Sequence, residues 1–451
     1  MNELKPVPKS LRIALLAASA AASLLSQTWQ LTTLSSFVPI GDGAGAHPVS
    51  GVTIGKNGDL YGTTPNTDSG NAGYGVVYQL APPASPGGAW TENPRYTFQD
   101  VEPAGLLGVG PMGGLAIGEN GVLYGTTSQG GQGGSSGYGI VFALTPTPGD
   151  YDWPIQVMQA FAGGADGASP QSTLAIGKGG ALYGATFYGG TGTCVNYELP
   201  SGCGTVFSLT PPESPGGAWT EAVLYSFTGG ADGAQPSGVA LNSDGVIFGT
   251  TLIGGMTGCL GPGCGTVFSL TPPASPGASW TRRTLYRFAG PPNDGGRPQS
   301  GVLISGGLLY GTCSLGGQDN GTLASFGTVF SLAPPAGDVS GPWSEAILYN
   351  FLGPAGGIDL PGIPMGLTLA TNGVLYGVTQ SGGPEGEGTV FSLTPPSVLG
   401  EPWTFQSLYD FTGGDDGGVP LGTLAIRDGV LYGTTSGGGS ELAGTVFRLQ
   451  P

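Results

Sequence analysis

The sequence predicts an all-β protein, a seven-bladed β-propeller of four-stranded blades, and three observations predict it. All seven tryptophans, Trp29, Trp90, Trp153, Trp219, Trp280, Trp343 and Trp403, hold one repeat position, at spacings of 61, 63, 66, 61, 63 and 60 residues. Between them recur short apolar segments (LYGTT, GTVFSL, LYSF) bounded by glycine and proline, with no helical period after the N-terminal segment. The array opens on a lone copy of its last strand and closes at Leu449 lacking that strand, so its two ends complete one unit.

Met1 to Leu25 carries Lys5, Lys9 and Arg12 and then an apolar, alanine-rich run from Ile13, with Ala20 and Ala22 as an A-x-A site. This is the pattern of a secretory signal peptide, assigned to residues 1–26, and it leaves 27–451 as a single propeller domain. Trp29 to Phe37 (WQLTTLSSF) is the orphan strand. Each unit then runs through a Gly/Asp/Pro loop such as GGADGASP and a short inner strand such as TLAI. An Asn-Gly or Asp-Gly turn leads to LYGTT in most copies, and a loop of uneven length leads on to GTVFSL. A proline-rich connection returns to tryptophan and LYSF. The second and third strands are apolar almost throughout, which suits sheets covered on both faces by neighbouring sheets. Residues 29–37 are expected to pair with 444–449 and close the ring. A solenoid would leave both terminal units incomplete.

The segments LYGTTSQGG, GTVFSLTPP and LYSFTGGADG resemble the bacterial tandem repeats called GloVer repeats, from about Trp29 to Leu449. The resemblance implies an exported repeat protein and no particular activity. Glycine (90) and proline (39) exceed a quarter of the 451 residues, yet the strand segments give every repeat something to bury, which argues against disorder. The formal charge is −17, with only 9% of residues charged. Such a field repels nucleic acid and anionic membrane surfaces. No membrane insertion is expected after leader removal. The protein is expected to be secreted, to the periplasm or beyond the cell, and to be a monomer.

Positions alike in every unit are scaffold, since seven copies cannot serve one site; Tyr61, Tyr124, Tyr183, Phe248, Tyr310, Tyr376 and Tyr432 are expected in the core. Function is sought where a unit departs from its siblings. The sole histidine, His47, precedes Pro48, and Arg297 precedes Pro298 at the equivalent place, where other units carry Ser169, Gln235 or Val419. These side chains are expected to ring the mouth of the central channel. The loop aspartates Asp42, Asp166, Asp232, Asp294, Asp415 and Asp416 share that face with the loops between second and third strands. They read first as turn residues, with calcium as the alternative reading and no other cofactor or metal expected. The candidate ligand-binding set is His47, Arg297, Asp166, Asp232, Asp294 and Asp416.

Cys194 with Cys203, and Cys259 with Cys264, are expected to form two loop-closing disulfides, while Cys313 stands for a threonine as a buried free thiol. Arg282, Arg283 and Arg287 read as a solvated outer face. With one histidine and no Ser-His-Asp spacing, no catalytic residue is assigned. The reading is a binding scaffold for neutral glycan or a protein partner. The alternatives are a structural surface protein and a glycan hydrolase using channel-mouth carboxylates.

Overall fold

Strands that are apolar on both faces need a covering sheet on each side, and a ring supplies one to every blade. The computed structural model describes residues 28–451 apart from 39–44, 66–73, 86, 99–107, 132–136, 148, 150–151, 195–201, 215, 260, 276, 318–325, 337–340, 352–361 and 399. The leader and Asp42 lie outside the described residues. Seven four-stranded antiparallel sheets form the blades, numbered here by the order of their inner strands, with no α-helix among the described residues. Blade 4, for example, runs outward through Ala234–Leu241, Ile247–Ile253, Thr266–Thr271 and Thr281–Arg287. Blade 5 follows with Leu303–Ser305, Leu308–Cys313, Thr328–Ala333 and Ser344–Asn350.

Blade 7 joins the chain ends. Gln30–Ser36 is its outer strand, paired antiparallel with Thr445–Gln450, with Gln30 opposite Gln450 and Ser36 opposite Thr445. The closing pair carries the same one-residue bulge as the others. The shift lies between Thr33 and Ser35 in blade 7, as it lies between Val206 and Phe207 in blade 3 and between Val267 and Phe268 in blade 4.

Two sevenfold sets of aromatic contacts tie blade to blade. The phenylalanine ending each outer strand meets the third-strand aromatic of the next blade edge-on, as Phe227 meets Phe268 at 5.1 Å. Phe37 meets Tyr78 in the same way across the closure, also at 5.1 Å. Each tryptophan packs on the second-strand aromatic of the preceding blade, from Tyr61 with Trp153 round to Tyr376 with Trp29 and Tyr432 with Trp90. Five of those second-strand aromatics are half-buried rather than buried, because the tryptophan covers one face of each. The glycine of LYGTT is there for space. A Cβ on Gly184 would stand 2.6 Å from Phe207 Cζ, and one on Gly249 the same distance from Phe268.

Hydroxyls do the polar part of the joining. The first threonine of LYGTT donates to a carbonyl of the next inner strand: Thr126 to Ser172, Thr250 to Ser300 and, across the closure, Thr434 to Ser50 at 2.7 Å. In four blades the second threonine pairs with the threonine opposite it, as Thr251 with Thr266 at 2.9 Å, which satisfies those buried hydroxyls, whereas Thr64 of blade 1 faces Val76 and its buried hydroxyl has no partner. The inner strand is two or three residues long in four blades and split into Ala168–Pro170 and Ala175–Ile176 in blade 3, whereas Ala234–Leu241 and Gly362–Leu369 run eight residues through the same X-Pro pair.

Candidate functional site

The seven X-Pro pairs form a joint that repeats round the inner rim. His47, Gly110, Ser169, Gln235, Arg297, Ile363 and Val419 all have positive φ, between 52° and 65°, a region costly for branched residues such as Ile363 and Val419. Each is held there by donating its N–H to the carbonyl just before the GTVFSL glycine of the preceding blade. Arg297 donates to Cys264 at 2.7 Å, Gln235 to Cys203 at 2.8 Å, His47 to Ala443 at 2.8 Å and Val419 to Glu387 at 2.7 Å. The following proline packs on that glycine, so the direction of each X side chain is set by backbone alone.

Both families of loop expected on one face are there together. Gly255 N donates to Gly230 O at 3.0 Å and Gly439 N to Gly414 O at 2.7 Å, linking the aspartate loop of a blade to its loop between second and third strands. The aspartate side chains turn inward onto their own loops. Asp232 accepts from the Tyr225 hydroxyl at 3.0 Å, the Thr228 N–H at 2.9 Å and the Thr228 hydroxyl at 2.5 Å. Asp416 has the same three partners in Tyr409 and Thr412. Asp166 accepts from Ala162 N–H, and Asp294 from the Tyr286 hydroxyl and from the N–H groups of Ala289 and Gly295. Burial and this bond to Asp416 push the Tyr409 hydroxyl up to about 12. Asp415 is exposed, and no group of three or more His, Cys, Asp or Glu that could hold a metal occurs among the described residues.

His47 and Arg297 hold equivalent slots but enter blades 1 and 5, and the structure does not bring them together. His47 Nδ1 lies 2.7 Å from the Ser436 carbonyl, to which it donates. Arg297 instead lines a cleft of about 500 Å3 with Gln235, Gln299, Ala234, Leu252, Ile253, Pro262, Gly229 and Cys194. None of these described residues is acidic. Both expected disulfides are formed, Cys194–Cys203 and Cys259–Cys264, and Cys313 is a buried free thiol. A Cβ on Gly229 would stand 2.4 Å from Cys194 Sγ, and one on Gly290 2.7 Å from Cys259 Sγ, so glycines of the aspartate loops make room for the bridges. Gln299 was not singled out by the repeat; its sequence signal is that it follows the Arg297-Pro298 pair on the same inner rim.

Elsewhere, Glu345 on the outer strand of blade 5 lies beside Asp294. Burial, with the Asp294 charge second, raises the Glu345 carboxyl to about 7, and its Oε1 is buried without a hydrogen-bond donor. Burial and the same two carboxyls push the Cys313 thiol up, which leaves it unreactive. The arginine cluster is a solvated face only in part: Arg287 is exposed and donates to Ala231, whereas Arg282 and Arg283 are half-buried, Arg282 stacking over Tyr225 and donating to the Asp232 carbonyl and Arg283 donating to Gly341. Those contacts join blade 4 to its neighbours.

The fold and rim define a class: a seven-bladed β-propeller whose repeated residues build the ring and whose departures from the repeat gather on one face. The chain belongs to the Gloeobacter/Verrucomicrobia repeat family, whose profile matches residues 22–197 and 192–447. No curated protein matches it. Among solved structures it is similar to a luciferin-regenerating enzyme at 10% identity, covering 94% of this chain and 95% of that one, with a TM-score of 0.44. The extracellular domain of a putative one-component system of B. thetaiotaomicron matches at 8% identity and a TM-score of 0.48, covering 93% of this chain but 40% of that one. The PQQ domain of a pyranose dehydrogenase from Coprinopsis cinerea matches at 11% identity, covering 94% and 98%, with a TM-score of 0.41. Likeness at this level carries no activity across.

Proposed function

We propose that the chain is an exported, non-enzymatic binding module that takes a glycan on its loop face, with the cleft at Arg297 as the contact that selects. One observation carries the reading. Residues alike in all units are engaged in blade-to-blade contacts, whereas the cleft gathers from blades 3 to 5 residues by which those units differ from most of their siblings, Cys194, Gln235 and Arg297, with Gln299 beside them. Loops on a rigid scaffold are where binding residues concentrate. Two disulfides suit an oxidising compartment, and among the described residues no helix is long and apolar enough to cross a membrane. The inward-turned loop aspartates favour binding over hydrolysis, because each already accepts hydrogen bonds that hold its loop.

The test is a glycan array on the chain from Gln27, run in calcium and again in EDTA. Saturable binding is expected in both buffers. A blank array in both would sink the reading, and glycan hydrolysis abolished by Asp→Asn changes would make the chain an enzyme instead.

A further inference from the structure

Two departures from the repeat coincide in space. Of the seven rim joints, two use a cysteine carbonyl as acceptor: Cys203 receives the N–H of Gln235 and Cys264 that of Arg297. At the other five joints the acceptors are Ala443, Tyr74, Tyr138, Phe326 and Glu387. Both cysteines are in disulfides, so covalent bridges fix the acceptors that aim Gln235 and Arg297, and both of those side chains line one cleft. Arg297 is anchored further through its own carbonyl, which accepts from Ser314 N–H at 3.2 Å and from its hydroxyl at 2.9 Å. Its guanidinium lies against the second bridged loop, where a Cβ on Gly261 would stand 3.4 Å from Nη2. The structural joint alone does not need this bracing, since five joints stand without a bridge.

A braced side chain loses less freedom when a ligand arrives, which is what preorganisation contributes to affinity. The charge of the cleft names the ligand. In a chain of net charge −17, none of the seven rim residues is acidic, and Arg297 is the one arginine among them. Guanidinium pairs with carboxylate through two parallel hydrogen bonds, and the neighbouring carboxamides of Gln235 and Gln299 can both donate to and accept from hydroxyls.

We infer that the cleft is a disulfide-braced site for the carboxylate of an acidic sugar, a uronic acid, with Arg297 on the carboxylate and Gln235 and Gln299 on the flanking hydroxyls. This deepens the glycan-binding reading and rests on it. The overall acidity of the chain favours neutral ligands; within the cleft that preference is reversed. Apolar walls at Leu252, Ile253 and Pro262 suit the C–H face of a sugar ring, and a volume of about 500 Å3 accommodates one or two residues.

The experiment is calorimetric titration of the oxidised full chain with oligogalacturonate, its methyl ester, a neutral galacto-oligosaccharide and a short peptide with a free C-terminus. Oligogalacturonate is expected to bind at least tenfold more tightly than its ester and to weaken as salt rises. Arg297→Gln, which copies the residue already tolerated at the same joint in blade 4, should remove that preference, and Arg297→Lys should keep part of it. Cys194→Ser with Cys203→Ser should weaken binding several-fold while the far-ultraviolet spectrum stays unchanged. Equal affinity for ester and acid, or an Arg297→Gln variant that still prefers the acid, overturns the inference while leaving glycan binding intact. Binding of the peptide but not the uronate overturns the sugar assignment, and failure of every saccharide overturns the glycan reading itself.

Discussion

Ring closure predicts that a residue near the N-terminus carries as much stability as its twin deep in the chain. Phe37 is fully buried, its ring lies 5.1 Å from Tyr78 at 66°, and its N–H donates to Gly444 O at 3.0 Å. Phe227, inside the array, is also fully buried, lies 5.1 Å from Phe268 at 66° and donates to Gly204 O at 3.0 Å. Truncating a fully buried phenylalanine to alanine costs about 3–5 kcal/mol, the lost transfer energy plus the cavity left behind. Phe37→Ala and Phe227→Ala should therefore lower stability by the same amount to within about 1 kcal/mol. Urea unfolding followed by tryptophan fluorescence reads the difference; for a urea slope of about 3 kcal/mol/M, each variant should move the midpoint down by about 1 M or more. The comparison is between twins in one assay, so the slope largely cancels. A Phe37→Ala midpoint within about 0.2 M of wild type, beside a large loss in Phe227→Ala, would mean that the strand 30–36 does not close the ring.

Glu345 gives a pH dependence. Its folded value of about 7 lies above its ordinary 4.5, so the folded state holds the proton more tightly; this stabilisation is complete below 4.5 and lost as pH rises through 7. Glu345→Gln should unfold at higher urea than wild type at pH 8, by about 1–2 kcal/mol once partial exposure is discounted, and match it at pH 4; an equal gap at both values would refute the assignment. Gly184→Ala places a methyl 2.6 Å from Phe207 Cζ and 2.8 Å from Leu174 Cδ2 and should cost about 1–3 kcal/mol in the same unfolding assay, where an unchanged midpoint would show that the blade is looser than drawn. Because the loop carboxylates are held by hydroxyl and N–H donors, EDTA should leave the melting temperature unchanged, whereas Asp232→Ala should lower it by several degrees; calcium-dependent melting would revive cation binding at these loops.

Much of the ring is legible without coordinates, because a repeat fixes which residues share a position. Blade number, the order of strands, the pairing of 30–36 with 445–450 and the two short-loop disulfides all follow from spacing. The threonine pairs and the glycines of LYGTT are recurrent in the sequence, but their purpose is not: Gly184 matters because a phenylalanine about twenty positions later lies over it.

What the repeat cannot say is which positions in neighbouring blades touch. His47 and Arg297 hold equivalent slots in different units, and only the packed rim shows that Arg297 shares a cleft with Gln235 and Gln299. The aspartates read as turn residues from sequence and cap their own loops, but that Tyr225, Tyr286 and Tyr409 also donate to them is seen only in the structure. Arg282 and Arg283 of blade 4 look exposed until their donors reach loop carbonyls fifty or more residues away. Hydrophobic periodicity is a property of one strand and survives in one dimension. A hydrogen-bond donor takes whichever acceptor the packed neighbour presents, so its partner is decided when the blades close against one another.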